Sequence, residues 1–170
     1  DRMEWPEFHS GVAAALESGF DDYNFDSSQI SFNRPQDLDA RHAGFIMGLG
    51  LLGRISRMLS NQAFDYLKMK HDPTSIGLLL GLSVTYLGTG DAKVTRLLSI
   101  HLSALHPPNS SPLNVSGITQ AAGLVGIGLL YLGTARQTLA DVMIKELCGI
   151  KVTSIEDPAA CREAYALSAG

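Results

Sequence analysis

Three glycines in the stretch RHAGFIMGLGLLGRI have the spacing G-x-G-x-x-G: Gly48, Gly50 and Gly53. This spacing binds the pyrophosphate of a dinucleotide when a strand precedes it, a helix follows it and an acidic residue lies about 20 positions further on. Asp72 satisfies the last condition, but the preceding residues HAGFIM lack the β-branched run of a strand. We therefore expect these glycines to pack helices rather than to bind phosphate.

The other residues that could do chemistry follow no catalytic or metal-binding spacing. None of the five histidines forms H-x-x-x-H, H-E-x-x-H or a Cys/His zinc pattern. The sequence has no G-x-S-x-G, and neither Cys148 nor Cys161 has a histidine near it in sequence. We expect no catalytic residue, no metal ligand and no cofactor.

The glycines recur at fixed offsets along the chain. SIGLLLGLSVTYLGTG, which begins at residue 75, aligns with QAAGLVGIGLLYLGTA, which begins at residue 120, at an offset of 45. The stretch around Gly44 and Gly48 aligns with the stretch around Gly77 and Gly81 at an offset of 33. A recurrence of roughly 20 to 50 residues is typical of repeat proteins.

Each repeat contains a segment without charged residues, at 43–53, 76–88 and 121–133. A helix with no polar face must be enclosed on every side, and glycines allow neighbouring backbones to approach. Each glycine costs up to about 1 kcal/mol of helix propensity, so their recurrence indicates a packing role. We predict structural packing roles for Gly44, Gly48, Gly77, Gly81, Gly88, Gly126 and Gly133, with Gly88 and Gly133 at left-handed helix ends.

Each uncharged segment is followed by an amphipathic one, which predicts an inner apolar helix and an outer half-exposed helix in every repeat. Thr89 and Thr134 are expected to cap the outer helices. The apolar stripes of the outer helices comprise Ala63, Phe64 and Leu67; Val94, Leu97, Leu98, Leu102 and Leu105; and Leu139, Val142, Met143 and Leu147.

The pattern predicts an all-α solenoid of helix pairs forming part of a single domain over residues 1–170. The repeat units run roughly over 40–71, 72–115 and 116–150, with partial units at 1–18 and 157–170 and an insertion at 19–39. Within the insertion, QISFN is a possible short strand. The insertion and the proline-rich loop 106–115 are candidate partner contacts. Both ends of the chain interrupt the pattern, so we expect a piece of a longer protein.

Composition limits the classes of partner. Of the 170 residues 45% are hydrophobic but only 18% are charged, where about 25% is usual, which favours surfaces that meet other proteins. The net charge is −4 without a block of Lys or Arg, so we expect no nucleic acid and no anionic membrane as partner. Apolar runs of about 13 residues are too short to span a bilayer. Two cysteines fit a reducing compartment.

The segments GLLLGLSVTYLGTG and GLVGIGLLYLGTA resemble the proteasome/cyclosome repeat family. Several stretches look specifically like the members found in the anaphase-promoting complex, or cyclosome. WPEFHSGVA is the most specific of them, because generic repeats of this family lack it. The stretches are WPEFHSGVAAAL (5–16), HAGFIMGLGLLGRI (42–55), DYLKMKHDPTSIGLLLGLS (65–83), LLSIHLSALHPP (97–108) and AAGLVGIGLLYLGTARQTLADVMIKEL (121–147).

The resemblance implies a toroid-like ring and a non-catalytic scaffold role in a multisubunit cell-cycle ubiquitin ligase of the nucleus and cytoplasm. It implies other subunits of the complex, and its coactivator, as partners, and no small-molecule substrate. The alternative that the resemblance leaves open is a platform for ubiquitin or ubiquitin-like domains, as in the scaffold subunits of the proteasome regulatory particle. The likeness is weaker across 17–37 and 148–157.

Overall fold

The computed structural model describes residues 4–19, 25–58, 60–106, 113–148 and 159–170. Every regular element within these ranges is a helix, which confirms the predicted all-α class. None of these helices is both long and apolar enough to cross a membrane. The α-helices are α1 (Glu4–Glu17), α2 (Ser27–Phe32), α3 (Ala40–Leu51), α4 (Ser60–Lys68), α5 (Asp72–Thr85), α6 (Ala92–Ser99), α7 (Gly117–Leu130), α8 (Gln137–Cys148) and α9 (Ala159–Ala169), with short 3₁₀ helices at Arg54–Arg57 and Ser103–Leu105.

The chain divides into two compact units, Asp1–Thr85 and Tyr86–Gly170. The boundary between them falls inside the predicted repeat 72–115, and the repeat boundaries themselves stay a prediction. The segment 107–112 of the proline-rich loop, and residues 149–158 before α9, lie outside the described residues.

In the first unit, α3 packs against α1 with one face and against α5 with another. Helix α3 has no acidic residue, and its side chains Ala43, Ile46 and Leu49 are fully buried. Leu78 and Leu79 of α5 are equally buried. The predicted uncharged helix at 43–53 therefore exists, although α3 ends at Leu51 and Gly53 lies in the left-handed turn that follows it.

The insertion forms a helix, not a short strand, at QISFN. Residues Ser27–Phe32 are α2, in which Ile30 is buried. Phe25, just before the helix, is buried as well. Asn33 closes α2 by donating from its side-chain amide to the carbonyl of Gln29 at 2.8 Å, which satisfies a carbonyl group left open by the helix end. Burial of Phe25 and Ile30 against the first unit overrides the weak β preference of the segment.

The stripe predicted for α4 is wrong at one position. Ala63 is buried and Leu67 half-buried, but Phe64 is 49% exposed, and Tyr66 takes its place in the core. The reason is helical geometry, because residues three and four apart share a face whereas the next residue along the chain is turned by about 100°.

In the second unit, α7 packs against α6 and α9. Val94, Leu97 and Leu98 of α6 are buried as the stripe predicts. The helix nevertheless ends at Ser99, so the fully buried Leu102 lies outside α6 and Leu105 lies in the following 3₁₀ helix.

The prediction that Thr89 and Thr134 cap the outer helices is wrong. Asp91 caps α6, since its Oδ1 accepts hydrogen bonds from the backbone N–H groups of Lys93 at 2.9 Å and Val94 at 3.0 Å. Thr89 and Thr134 instead donate backwards to the carbonyls of Tyr86 and Tyr131, each at 2.7 Å. They close the turn after an inner helix rather than start an outer one.

Candidate functional site

The contact between α1 and α3 brings backbone against backbone. A Cβ added to Gly44 would overlap the carbonyl oxygen of Phe8, and a Cβ added to Gly11 would overlap the carbonyl oxygen of Arg41. Each helix therefore presents a glycine to the main chain of the other. Any larger residue at Gly11 or Gly44 forces the two helices apart.

The contact between α3 and α5 is built in the same way. A Cβ on Gly50 would overlap backbone atoms of Gly81, and a Cβ on Gly77 would overlap the carbonyl oxygen of Ala43. The hydroxyl of Thr85 lies 2.9 Å from the carbonyl oxygen of Gly50 and 2.9 Å from that of Gly81, so it joins the ends of both helices.

The G-x-G-x-x-G glycines have separate structural positions, and no strand precedes them within the described residues. Gly48 faces α1, where an added Cβ would meet the Ala15 Cβ at 2.5 Å, and Gly50 faces α5. Gly53 follows α3 with a φ of +71°, the left-handed conformation that favours glycine. Because backbone or side-chain atoms already occupy the space beside Gly48 and Gly50, a pyrophosphate has no room there.

In the second unit, a turn before α6 satisfies the end of α7. The N–H of Gly88 donates to the carbonyl of Leu129 at 3.1 Å, and the N–H of Gly90 donates to the carbonyl of Leu130 at 3.0 Å. Both glycines have positive φ, +67° and +60°. These bonds occupy carbonyl groups that a helix end otherwise leaves without a donor.

The remaining predicted glycines differ in what surrounds them. Gly126 is buried in α7. Gly133 has the predicted left-handed conformation, with a φ of +74°, but it is exposed and an added Cβ would meet no atom within 4 Å, so it makes no packing contact. Gly128 is likewise open to space, whereas a Cβ added to Gly123 would lie 3.3 Å from the Leu102 side chain.

Two contact glycines were not among the predicted packing residues. Gly11 lies 33 positions before Gly44, the same offset that relates Gly44 to Gly77, so extending the alignment by one repeat would have found it. In the sequence, Gly50 stands out only as part of the G-x-G-x-x-G pattern. Its role depends on the position of α5, which no local pattern reveals.

Two buried polar side chains of the first unit, His42 and Tyr66, are bonded to each other. His42 Nε2 and the Tyr66 hydroxyl share a hydrogen bond of 2.8 Å, and Asp39 Oδ1 accepts from the His42 backbone N–H at 2.7 Å. The Arg34 guanidinium lies 4.7 Å from the centre of the Tyr66 ring. Burial lowers the pKa of His42, an effect that Asp39 opposes and Arg34 adds to. Burial therefore favours the neutral form of the His42 ring.

The second unit uses its histidines in the same structural way. His101 donates from Nδ1 to the carbonyl of Leu97 at 3.0 Å, and burial lowers its pKa. His106 donates from Nε2 to the carbonyl of Ile100 at 2.9 Å. Among the residues that the structure describes, no three His, Cys, Asp or Glu side chains come together in a group suited to a metal ion.

The fold and these contacts define an all-α protein in which Gly11, Gly44, Gly50 and Gly77 bring helices into backbone contact. His42 and His101 are held in structural hydrogen bonds. A family described as APC1 fourth domain matches residues 1–87, and one described as APC1 fifth domain matches residues 92–170. The chain belongs to the APC1 family, in agreement with the resemblance seen in its sequence.

Named relatives are similar over nearly the whole chain. Anaphase-promoting complex subunit 1 of Schizosaccharomyces pombe is 46% identical over 167 residues, which covers 98% of this chain and 11% of that protein. The human subunit 1 is 44% identical over 171 residues, covering 98% of this chain and 8% of that protein. A protein of Emericella nidulans named negative regulator of mitosis is 46% identical over 147 residues, covering 86% of this chain and 7% of that protein. The chain thus spans about a tenth of the relatives it matches.

Proposed function

We propose that this chain is a non-catalytic scaffold segment of the anaphase-promoting complex, a multisubunit ubiquitin ligase of the cell cycle. The observation that carries the proposal is the pair of backbone contacts that α3 makes, to α1 through Gly11 and Gly44 and to α5 through Gly50 and Gly81. The names of its relatives, subunit 1 of that complex and a negative regulator of mitosis, supply the biological setting.

Backbone contact suits a scaffold because it leaves little freedom between neighbouring helices. Protein interiors are close-packed, and two helices that touch through glycine have no long side chain between them that can change rotamer. The surfaces that α1, α3 and α5 turn outward are therefore held at fixed distances from one another. A partner that contacts two of these helices meets a preformed surface, which lowers the entropic cost of binding.

Two of the five histidines, a residue type that often performs catalysis, are engaged in structural bonds. His42 is bonded to Tyr66, and His101 to the carbonyl of Leu97. We infer that the partners of this segment are other subunits of the complex and its coactivator, and that the protein acts in the nucleus and cytoplasm. Fluorescence microscopy of the tagged, full-length protein tests the location, and exclusion from the nucleus throughout the cell cycle contradicts it.

The test of the scaffold role is assembly in the cell. Affinity purification of the tagged natural protein is expected to recover the other subunits of the complex in constant proportion. Purified by itself, the protein is expected to transfer no ubiquitin. If the tagged protein is recovered without any other subunit from cells at every stage of division, the result contradicts the proposal.

The alternative role as a platform for ubiquitin has its own measurement. Titration of ubiquitin into the labelled chain, followed by NMR, is expected to perturb no resonance. Saturable shifts of surface residues at micromolar ubiquitin would favour the platform over the scaffold.

A further inference from the structure

Phe32, the last residue of α2, is 89% exposed. The helix belongs to the insertion, outside the repeating pattern of inner and outer helices. Exposed single apolar residues are common and need no explanation by themselves. What distinguishes Phe32 is that the residues on both sides of it are held in place.

Contacts before and after Phe32 anchor the insertion to the first unit. Phe25 and Ile30 are buried. Ser31 Oγ accepts a hydrogen bond of 2.9 Å from the Gln62 side chain of α4, and Arg34 stacks over the ring of Tyr66. These contacts tether the backbone on both sides of the Phe32 ring to the first unit. An aromatic ring on a fixed backbone loses little entropy on binding, and aromatic side chains are enriched among the residues that dominate binding energy.

Charge around Phe32 indicates the kind of partner. Between residues 25 and 41 the chain has three acidic residues, Asp26, Asp37 and Asp39, against two basic residues, Arg34 and Arg41, a net charge of −1. All five are exposed, and Arg34 is already stacked on Tyr66. Without a cluster of positive charge, this surface is unsuited to nucleic acid and anionic lipid. It complements a protein surface in which Lys or Arg borders an apolar pocket.

We propose that Phe32 inserts into an apolar pocket bordered by Lys or Arg on another subunit of the complex. This inference rests on the proposed scaffold function and makes it specific: Phe32 is the anchor, and the carboxylates of the insertion orient the partner. The repeat helices hold α2 in position through α4, so the scaffold and its docking residue belong to one packed unit.

The experiment uses the full-length protein in its complex. A photo-reactive phenylalanine analogue at position 32 is expected to crosslink to one subunit, close to its Lys or Arg residues. Affinity between the purified full-length protein and that subunit is then measured for Phe32→Ala, with Gln36→Ala as an exposed, uncharged control on the same insertion. We expect Phe32→Ala to weaken binding about tenfold or more and Gln36→Ala to leave it within twofold.

Two further variants separate anchor, charge and fold. Asp37→Lys is expected to weaken binding at low salt, with a smaller effect at high salt, and Phe32→Leu is expected to retain part of the affinity. Because Phe32 is exposed, the melting temperature of Phe32→Ala is expected to equal that of the parent. Binding unchanged in Phe32→Ala, or a large loss of melting temperature in it, overturns the inference.

The outcomes distinguish this inference from the proposed function. If the natural protein assembles with the complex but position 32 crosslinks to no subunit, the docking role is wrong and the scaffold role stands. If the natural protein fails to assemble with the complex, the scaffold role is wrong, and the docking role that rests on it falls as well.

Discussion

Gly50 of α3 and Gly81 of α5 face each other so closely that a Cβ on Gly50 would overlap the backbone of Gly81. A Cβ added to Gly81 would be less crowded, because it would lie 3.3 Å from the Ile46 carbonyl oxygen and 3.4 Å from the Met47 Cα. We expect Gly50→Ala to lower the free energy of unfolding by about 1–3 kcal/mol. Gly81→Ala should lower the free energy of unfolding by less, since alanine regains up to about 1 kcal/mol of helix propensity. Urea denaturation measures both, and equal losses contradict the asymmetry.

The Thr85 hydroxyl joins the ends of α3 and α5 through the carbonyls of Gly50 and Gly81. Thr85→Val keeps the shape but removes the donor, and should lower the free energy of unfolding by about 1 kcal/mol. Thr85→Ser keeps the hydroxyl and is the matched control. If the valine variant is as stable as the serine variant, the hydroxyl contributes nothing to holding the two helices.

Asp91, rather than Thr89, is the residue expected to matter at the start of α6. Its carboxylate accepts two backbone N–H groups of the first turn, and loss of such a cap costs about 1 kcal/mol. Asp91→Ala should therefore lower the midpoint of urea denaturation more than Thr89→Ala does. The opposite order would restore Thr89 as the cap that the sequence indicated.

His42 should make stability depend on pH. Burial, the largest effect, lowers its pKa below the ordinary 6.5, so between these two values the unfolded chain binds a proton that the folded chain does not. The contribution is thus fully present above about pH 6.5 and is lost as the pH falls towards the folded-state pKa.

The control for this pH effect is His42→Gln, which keeps a polar group near the Tyr66 hydroxyl but does not titrate. We expect its free energy of unfolding to change less between pH 7 and pH 5 than that of the parent. His101, whose pKa burial also lowers, remains in both proteins and supplies a common background. Identical pH profiles for parent and variant would contradict the assignment to His42.

The uncharged segments predicted the mostly buried helices because charge is costly to bury and its absence over three turns is a strong local signal. The expected enclosure on every side is wrong, since Leu51 of α3 is 44% exposed and Val125 of α7 is 38% exposed. The offset of 33 residues likewise placed Gly44, Gly48, Gly77 and Gly81 in corresponding positions. Both signals are properties of one segment or of two aligned segments, so they are readable without the fold.

Contacts between residues far apart in the chain leave no pattern in the sequence that predicts them. Tyr66 meets His42 across 24 positions, and Thr85 meets Gly50 across 35. Their pairing depends on how whole helices pack. The conformation of α2 was also missed, because QISFN has β-forming residues and the cap that ends the helix is a single asparagine side chain.

The central claim is that helices of the first unit touch through their backbones, and the pair Gly44→Ala and Gly128→Ala tests it most directly. A Cβ at Gly44 would overlap the Phe8 carbonyl, whereas a Cβ at Gly128 would meet nothing within 4 Å, and both glycines lie within helices. In urea denaturation, Gly44→Ala should lower the free energy of unfolding by about 1–3 kcal/mol. Gly128→Ala should leave it unchanged or raise it by up to about 1 kcal/mol. A Gly44→Ala variant as stable as the parent would contradict the claim.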